Sequence, residues 1–272
     1  VKLTHTKSSR TQIYKTRTMN ITLLQLNILW ESPLRNIRHA EQLMSAQPDA
    51  DLYVLPEMWA TGFMTKPNNV VEDEEHNLAL EWMKRQARVH SCAISGSLAV
   101  KVSEGDYRNR HYFVTPDKIF FYDKHHLFTH GHENDAFVAG SQHVVVEWKG
   151  CRFLLLICYD LRFPVWSRYG IAGEYDAIIY VANWPASRQY AWNVLTCARA
   201  IENQCYVIAA NRVGTDAKTQ YSGGSALIDP LGRYVVVDET HTEQTLTGRL
   251  NMDSLNEARK RFKVLADRDM YQ

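Results

Sequence analysis

The chain has 272 residues, 45% of them apolar, and a formal charge of +1, which allows a full core in one large α/β domain or two small ones. Its lysines and arginines are spread along the chain apart from a basic leader, so nothing points to nucleic acid, and no apolar run approaches the roughly 18 residues that a membrane span requires. Five cysteines, Cys92, Cys151, Cys158, Cys197 and Cys205, form no C-x-x-C pair, the usage expected of free thiols in a reducing, cytoplasmic compartment.

Residues 1–18, VKLTHTKSSRTQIYKTRT, carry Lys2, Lys7, Arg10, Lys15 and Arg17 and no acid. They read as a basic extension outside the fold, a targeting leader or upstream sequence before Met19, with residues 19–272 as a single domain. The absence of an amphipathic pattern favours the second. From Asn20, NITLLQLN is a short apolar strand; Ser32 and Pro33 then start a helix with Leu34, Ile37, Ala40 and Met44 on its apolar face. LYVLPE is a second buried strand, which completes a βαβ opening. Residues 74–90 form a helix with Leu78, Trp82 and Met83 inward, followed by the strands CAISGSLAV, RHYFVT, KIFFYD and HVVVEW.

CRFLLLIC is a central strand, expected to lead through a polar loop into a helix begun by Pro164. YDAIIYVAN and CYVIAANR are strands on either side of a helix from Ser187 to Asn203, whose stripe is Ala191, Val194, Leu195, Ala198 and Ile201. SGGSALIDPLGRYVVV is a hairpin turning at DPLG. Strands mixed with helices, with hairpins among the βαβ units, predict an α/β fold of two sheets between helix layers.

Three polar residues stand at the ends of apolar strands. Cys158 ends the most apolar strand; a strand end running into a helix start presents a side chain beside free backbone N–H groups, which suits a thiolate nucleophile. Free cysteines are more often buried small hydrophobes, and the other four keep that reading. Glu57 ends LYVLPE, where burial would suit a general base, the alternative being a solvated loop carboxylate. Lys124 ends KIFFYD, a position that by itself reads as surface. The nearby His125, His126, His130 and His132 fit no zinc spacing, so no metal is expected, and no G-x-S-x-G elbow is present.

In this order, LPEMWATGF, DKHHLF, ENDAFVAG and CYDLRFP resemble the signature blocks of the nitrilase superfamily, the carbon-nitrogen hydrolases, from about residue 20 to about 262. CYDLRFP and ANWPASRQYAW resemble its ω-amidase branch, which includes 2-oxoglutaramate amidases. The resemblance implies a four-layer α-β-β-α sandwich, homodimers or higher homo-oligomers, and no cofactor or metal. It assigns Glu57, Lys124 and Cys158 as catalytic residues and Glu133 as a supporting carboxylate.

The implied function is hydrolysis of the terminal amide of small ω-amido dicarboxylates through a Cys158 thioester, with Lys124 and the backbone N–H of Tyr159 on the oxyanion. Asp160 and Arg162 are expected to hold the loop after the nucleophile, as an ion pair. Such a substrate ends in a carboxylate, for which Arg188 is the candidate clamp, with Phe63, Trp184 and Tyr159 as walls; a solvated Arg188 is the alternative. An N-carbamoyl compound or a deaminated peptide amide is the rival substrate, and a non-catalytic binding module the rival class.

Overall fold

A computed structural model describes residues 18–67 and 70–269. The leader expected outside the fold thus lies outside the described residues as far as Arg17, and Thr18 opens the first strand. Strand β1 (Thr18–Gln25) passes through helix α1 (Pro33–Ser45) to β2 (Leu52–Val54), and helix α2 (Leu78–His90) leads to β3 (Ala93–Ser103), β4 (Asp106–Val114) and β5 (Ile119–Asp123). The second half runs β6 (Val145–Trp148), β7 (Cys151–Ile157), β8 (Ala177–Val181), helix α3 (Gln189–Asn203), β9 (Tyr206–Ala210), β10 (Val213–Thr215), β11 (Gln220–Ser222), β12 (Ala226–Ile228) and β13 (Tyr234–Val237). It closes with β14 (Gln244–Asn251) and helix α4 (Met252–Arg261).

Two six-stranded sheets result, ordered β14-β1-β2-β3-β4-β5 and β13-β12-β9-β8-β7-β6. In each the inner three strands are parallel and the flanking pairs antiparallel. Period-two alternation sends one face of each strand to the other sheet and one to helices. Leu23, Val54 and Phe113 join Phe153, Leu155 and Ile157 in the core between the sheets, where the Phe113 and Phe153 rings lie 5.6 Å apart. Leu24, Tyr53, Ile94 and Tyr112 face Ile37, Met44, Trp82 and Met83 of α1 and α2. Helix α3 covers the second sheet through Trp192 and Ala200, which gives the four-layer α-β-β-α sandwich. No helix among the described residues is long and apolar enough to cross a membrane.

Several expectations are corrected. No helix starts at Pro164: Cys158–Arg162 is itself a 3-10 turn, and Phe163, extended at φ −113° and ψ 90° as a residue before proline prefers, leads the chain out of it. Strand β7 lies second from the sheet edge rather than at the centre. The helix expected over 74–90 divides at Asn77, whose side chain accepts the Leu80 N–H as an N-cap and leaves Leu78 exposed; Leu34 of α1 is exposed too. On α3 the stripe is turned partly away from that expected: Ala191 and Leu195 pack on the core, but Val194 and Ile201 face outward, while Trp192, Thr196, Arg199 and Asn203 are buried. The Trp192 indole donates to Gly224 O at 2.8 Å and Arg199 Nη2 to Leu161 O at 2.7 Å, although Arg199 Nε is left without an acceptor. The reading of the sequence had no counterpart to β10, β11, β14 or α4.

Between the sheets, β4 places Asn109, His111 and Phe113 on one face. His111 Nδ1 lies 3.1 Å from Leu156 O and Nε2 2.7 Å from Ser95 Oγ. A carbonyl only accepts, so Nδ1 carries the proton and the ring is a neutral bridge from the first sheet to β7, the strand that ends at Cys158. Burial pushes its pKa down to about 3.

Candidate active site

The Leu-Pro-Glu run after β2 carries Glu57 into the space between the sheets, where it is fully buried. A carboxylate there needs donors. Its Oε1 accepts from Lys124 Nζ and Asn109 Nδ2, both at 2.8 Å, and its Oε2 from the Asn183 backbone N–H at 2.9 Å. Lys124, immediately after β5, also donates to Glu133 Oε2 at 2.8 Å; Glu133 accepts further from Asn109 at 2.9 Å and from the Phe128 N–H at 2.6 Å. Glu57, Lys124 and Glu133 thus form one buried cluster bridged by Asn109, which Ser97 Oγ orients at 2.9 Å.

The charges set the protonation states. Burial alone would strip the Lys124 proton, but Glu133 and then Glu57 hold it well above the ordinary lysine range. Burial raises the Glu133 carboxyl, with Lys124 opposing. Cys158 is pushed well above the ordinary thiol range, first by burial and then by the Glu57 charge and its hydrogen bond with that carboxylate, while Lys124 pulls the other way. Burial thus favours the neutral thiol at Cys158, and its acidic neighbours favour the ammonium at Lys124.

Cys158 sits at the end of β7 with φ at +40°, a left-handed conformation that side chains rarely adopt. That turn brings it to the wall of a cleft of about 810 Å³. Tyr159 follows in the first turn of the 3-10 segment, where a backbone N–H has no intrahelical acceptor. Phe63, Tyr159, Trp184 and Arg188 all line this cleft with Cys158. Arg188 lies over the Phe128 ring at 5.2 Å, and Arg162 over the Trp184 ring at 4.9 Å.

The Asp160–Arg162 ion pair is not formed. Asp160 turns inward to Tyr122, His126 and the Ile157 N–H, and Arg162 turns into the cleft. Among the described residues neither Arg162 nor Arg188 has a carboxylate partner, whereas the cleft acids are engaged: Asp135 with His132 at 3.2 Å, and Asp216 with the Lys218 and Thr219 N–H groups and the Tyr221 hydroxyl. The cleft thus favours an anion. Of the histidines beside Lys124, His125 stacks on Trp166 at 3.7 Å and His126 on Phe163 at 3.7 Å.

Sequence reasoning missed Asn109 and Asn183, and gave Arg162 a loop-holding role rather than a place in the cleft. Asn183 donates its side-chain N–H to Glu57 O at 2.6 Å as well as its backbone N–H to the carboxylate. The signal for Asn109 was a polar residue on the inward parity of a strand with Phe113 two turns of the pleat away; the signal for Asn183 was its place at the end of the apolar run AIIYVA.

The sequence model of the carbon-nitrogen hydrolase family matches residues 20–260. Omega-amidase YafV of Escherichia coli (strain K12) is 39% identical over 258 residues, 93% of this chain and 98% of that protein. The 2-oxoglutaramate amidase of Bacillus subtilis (strain 168) is 34% identical over 256 residues, 92% of this chain and 98% of that one. The crystal structure of XC1258 from Xanthomonas campestris, a CN-hydrolase superfamily protein with an arsenic adduct in its active site, matches with a TM-score of 0.89 at 37% identity, covering 94% of this chain and 98% of that one.

Proposed function

The chain belongs to the carbon-nitrogen hydrolase family and hydrolyses amides, and within that family we propose that it cleaves the terminal amide of small ω-amido dicarboxylates such as 2-oxoglutaramate, giving the acid and ammonia. The observation that carries this reading is the buried Glu57–Lys124–Glu133 cluster behind a cleft-lining Cys158, in a cleft whose Arg162 and Arg188 have no carboxylate partner among the described residues.

In the proposed mechanism Glu57 takes the Cys158 proton as Sγ attacks the amide carbon. Lys124 and the Tyr159 N–H hold the oxyanion, each donor contributing on the order of 3 kcal/mol. Collapse breaks the C–N bond, and the Glu57 proton leaves on ammonia. Water then attacks the thioester, Glu57 accepting its proton and returning it to sulfur as the acid departs. Asn109 and Asn183 keep the Glu57 carboxylate aimed, and Glu133 fixes Lys124. Arg188, joined by Arg162, clamps the distal carboxylate between Phe63, Tyr159 and Trp184.

Ammonia release from 2-oxoglutaramate, 2-oxosuccinamate, glutamine, asparagine and N-carbamoyl compounds tests this. The 2-oxo amides are expected to lead the panel, Cys158→Ala to be inactive, and Arg188→Ala to raise KM about tenfold to a hundredfold with kcat little changed, as loss of a charged hydrogen bond implies. No turnover of any member, or an active alanine variant, rejects the mechanism; an unchanged KM rejects Arg188 as the clamp.

Residues 19–272 act in this reading as one domain, in the cytoplasm, where the absence of disulfides among the five cysteines is at home. The enzyme works as a homodimer: Tyr190, Val194 and Ile201 on the outward side of α3, with Leu231, make an exposed apolar strip that a second copy would cover. Val194→Asp is expected to halve the sedimenting mass; a wild type already monomeric at micromolar concentration rules the dimer out.

A further inference from the structure

One carboxylate reaches the neighbours of both Lys124 and Cys158. Asp160, fully buried, accepts four hydrogen bonds: Oδ1 from the His126 backbone N–H at 3.0 Å and from His126 Nδ1 at 2.8 Å, Oδ2 from the Tyr122 hydroxyl at 2.8 Å and the Ile157 N–H at 2.9 Å. Tyr122 and His126 stand two residues before and after Lys124, at the end of β5 in the first sheet. Ile157 and Asp160 bracket Cys158 at the end of β7 in the second. All four lone-pair directions of the carboxylate are therefore occupied by donors from the two segments that present the ammonium and the sulfur.

The surroundings make this brace rigid. Tyr122 Oη, while donating to Asp160, accepts from the His125 N–H at 3.1 Å and Trp166 Nε1 at 3.0 Å. The Trp166 ring is held between His125 at 3.7 Å and His143 at 3.8 Å, and the His126 ring lies flat on Phe163 at 3.7 Å. A strained φ such as that of Cys158 persists only where neighbouring structure over-determines it, and the Ile157 N–H bond to Asp160 lies at its base.

We infer that Asp160 is a positioning residue, braced by Tyr122 and His126, that sets the separation and orientation of Lys124 Nζ relative to Cys158 Sγ for the acylation step. The inference rests on the proposed roles of Lys124 and Cys158. Neither Asp160, Tyr122 nor His126 lines the cleft. Loosening the brace therefore changes how well bound substrate reacts and leaves its binding alone.

His126 is the place to test it, because its ring is at the edge of the brace, with 21% of the side chain exposed. Asparagine puts an amide N–H where Nδ1 stands; glutamine puts one nearer Nε2; alanine removes it. With 2-oxoglutaramate, His126→Ala is expected to lower kcat about tenfold to a hundredfold, the scale of a misplaced reacting group, with KM within about twofold. His126→Asn should recover most of the loss and His126→Gln should not. Urea midpoints identify the folded variants. In parallel, the alkylation of Cys158 by iodoacetamide, followed by peptide mass, should be slow in the alanine variant and restored by asparagine, since Lys124 then resumes its hold on the thiolate.

Unchanged kcat in His126→Ala, kcat and KM moving together, or equal recovery by asparagine and glutamine overturns the positioning role. If the wild type turns over no ω-amide, the substrate reading falls while the alkylation series still decides the brace.

Discussion

Replacing Lys124 with methionine is expected to lower turnover about 10²- to 10³-fold and to destabilise the protein by about 3–5 kcal/mol. Both effects come from one position. Lys124 donates to Glu57 and Glu133 at 2.8 Å each, and all three side chains are inaccessible to water. Methionine fills much of the volume and removes the charge, so the loss is electrostatic rather than a cavity. Two carboxylates then share a buried site with no cation, and one must take up a proton. The sign of the pH dependence follows: burial already raises the folded-state pKa of Glu133, the Glu57 charge adds to it, and without Lys124 only neutral donors such as the Phe128 N–H oppose it. A group whose folded pKa lies above its unfolded value stabilises below the unfolded value, near 4.3 for a typical glutamate, and loses that contribution as pH rises through the folded one. The variant's deficit relative to wild type should thus shrink toward pH 5 and grow toward pH 8, as read from urea midpoints. A wild-type midpoint at pH 8, or activity within tenfold of wild type, would contradict the cluster's assigned role.

Glu57→Gln should separate two things that the wild type couples. Amide turnover is expected to fall about 10²- to 10⁴-fold, the usual contribution of a positioned general base. The Cys158 thiol should meanwhile become easier to ionise: the Glu57 charge and its hydrogen bond are among the causes that raise its pKa, and Lys124, which lowers it, remains. The pH at which alkylation of Cys158 reaches half its maximal rate should therefore move down while catalysis is lost. An inflection unmoved or moved up would mean that Glu57 does not face the sulfur as its base. Isosteric glutamine retains volume, but its amide nitrogen must avoid the Lys124, Asn109 and Asn183 donors, so a modest loss of stability accompanies the change.

Strand ends were the legible part of this site. Glu57 and Cys158 each follow a buried apolar run, where a polar side chain is conspicuous, whereas Lys124 follows the half-exposed strand β5, reads as surface by position, and was singled out by the family resemblance. Asn109 and Asn183 were hidden for the opposite reason: asparagine is common in turns, and only the register of β4 and the parallel β7–β8 pairing bring these two onto Glu57. The orientation of α3 was misread because apolar periodicity ignores buried polar groups that find partners, as Arg199 and Trp192 do. Cys158–Arg162 illustrates the same limit. Residues close in sequence invited an Asp160–Arg162 pair, yet the carboxylate is drawn inward by four donors and the guanidinium outward to an aromatic face. The last strand, QTLTGRLN, carries too little apolar content to stand out, and its partner is the first strand of the fold.

That pairing governs the order in which the fold can be finished during synthesis. Thr22 of β1 meets Thr247 of β14 across 225 residues of chain, in a register that runs the full length of both strands. When the ribosome has delivered every strand but β14, the first sheet still presents β1 as a bare edge of backbone donors and acceptors, a template for any extended chain nearby. Premature termination between Val237 and Gln244 would thus release a nearly complete sandwich that is sticky along one side, and the eight residues of β14 act as the seal.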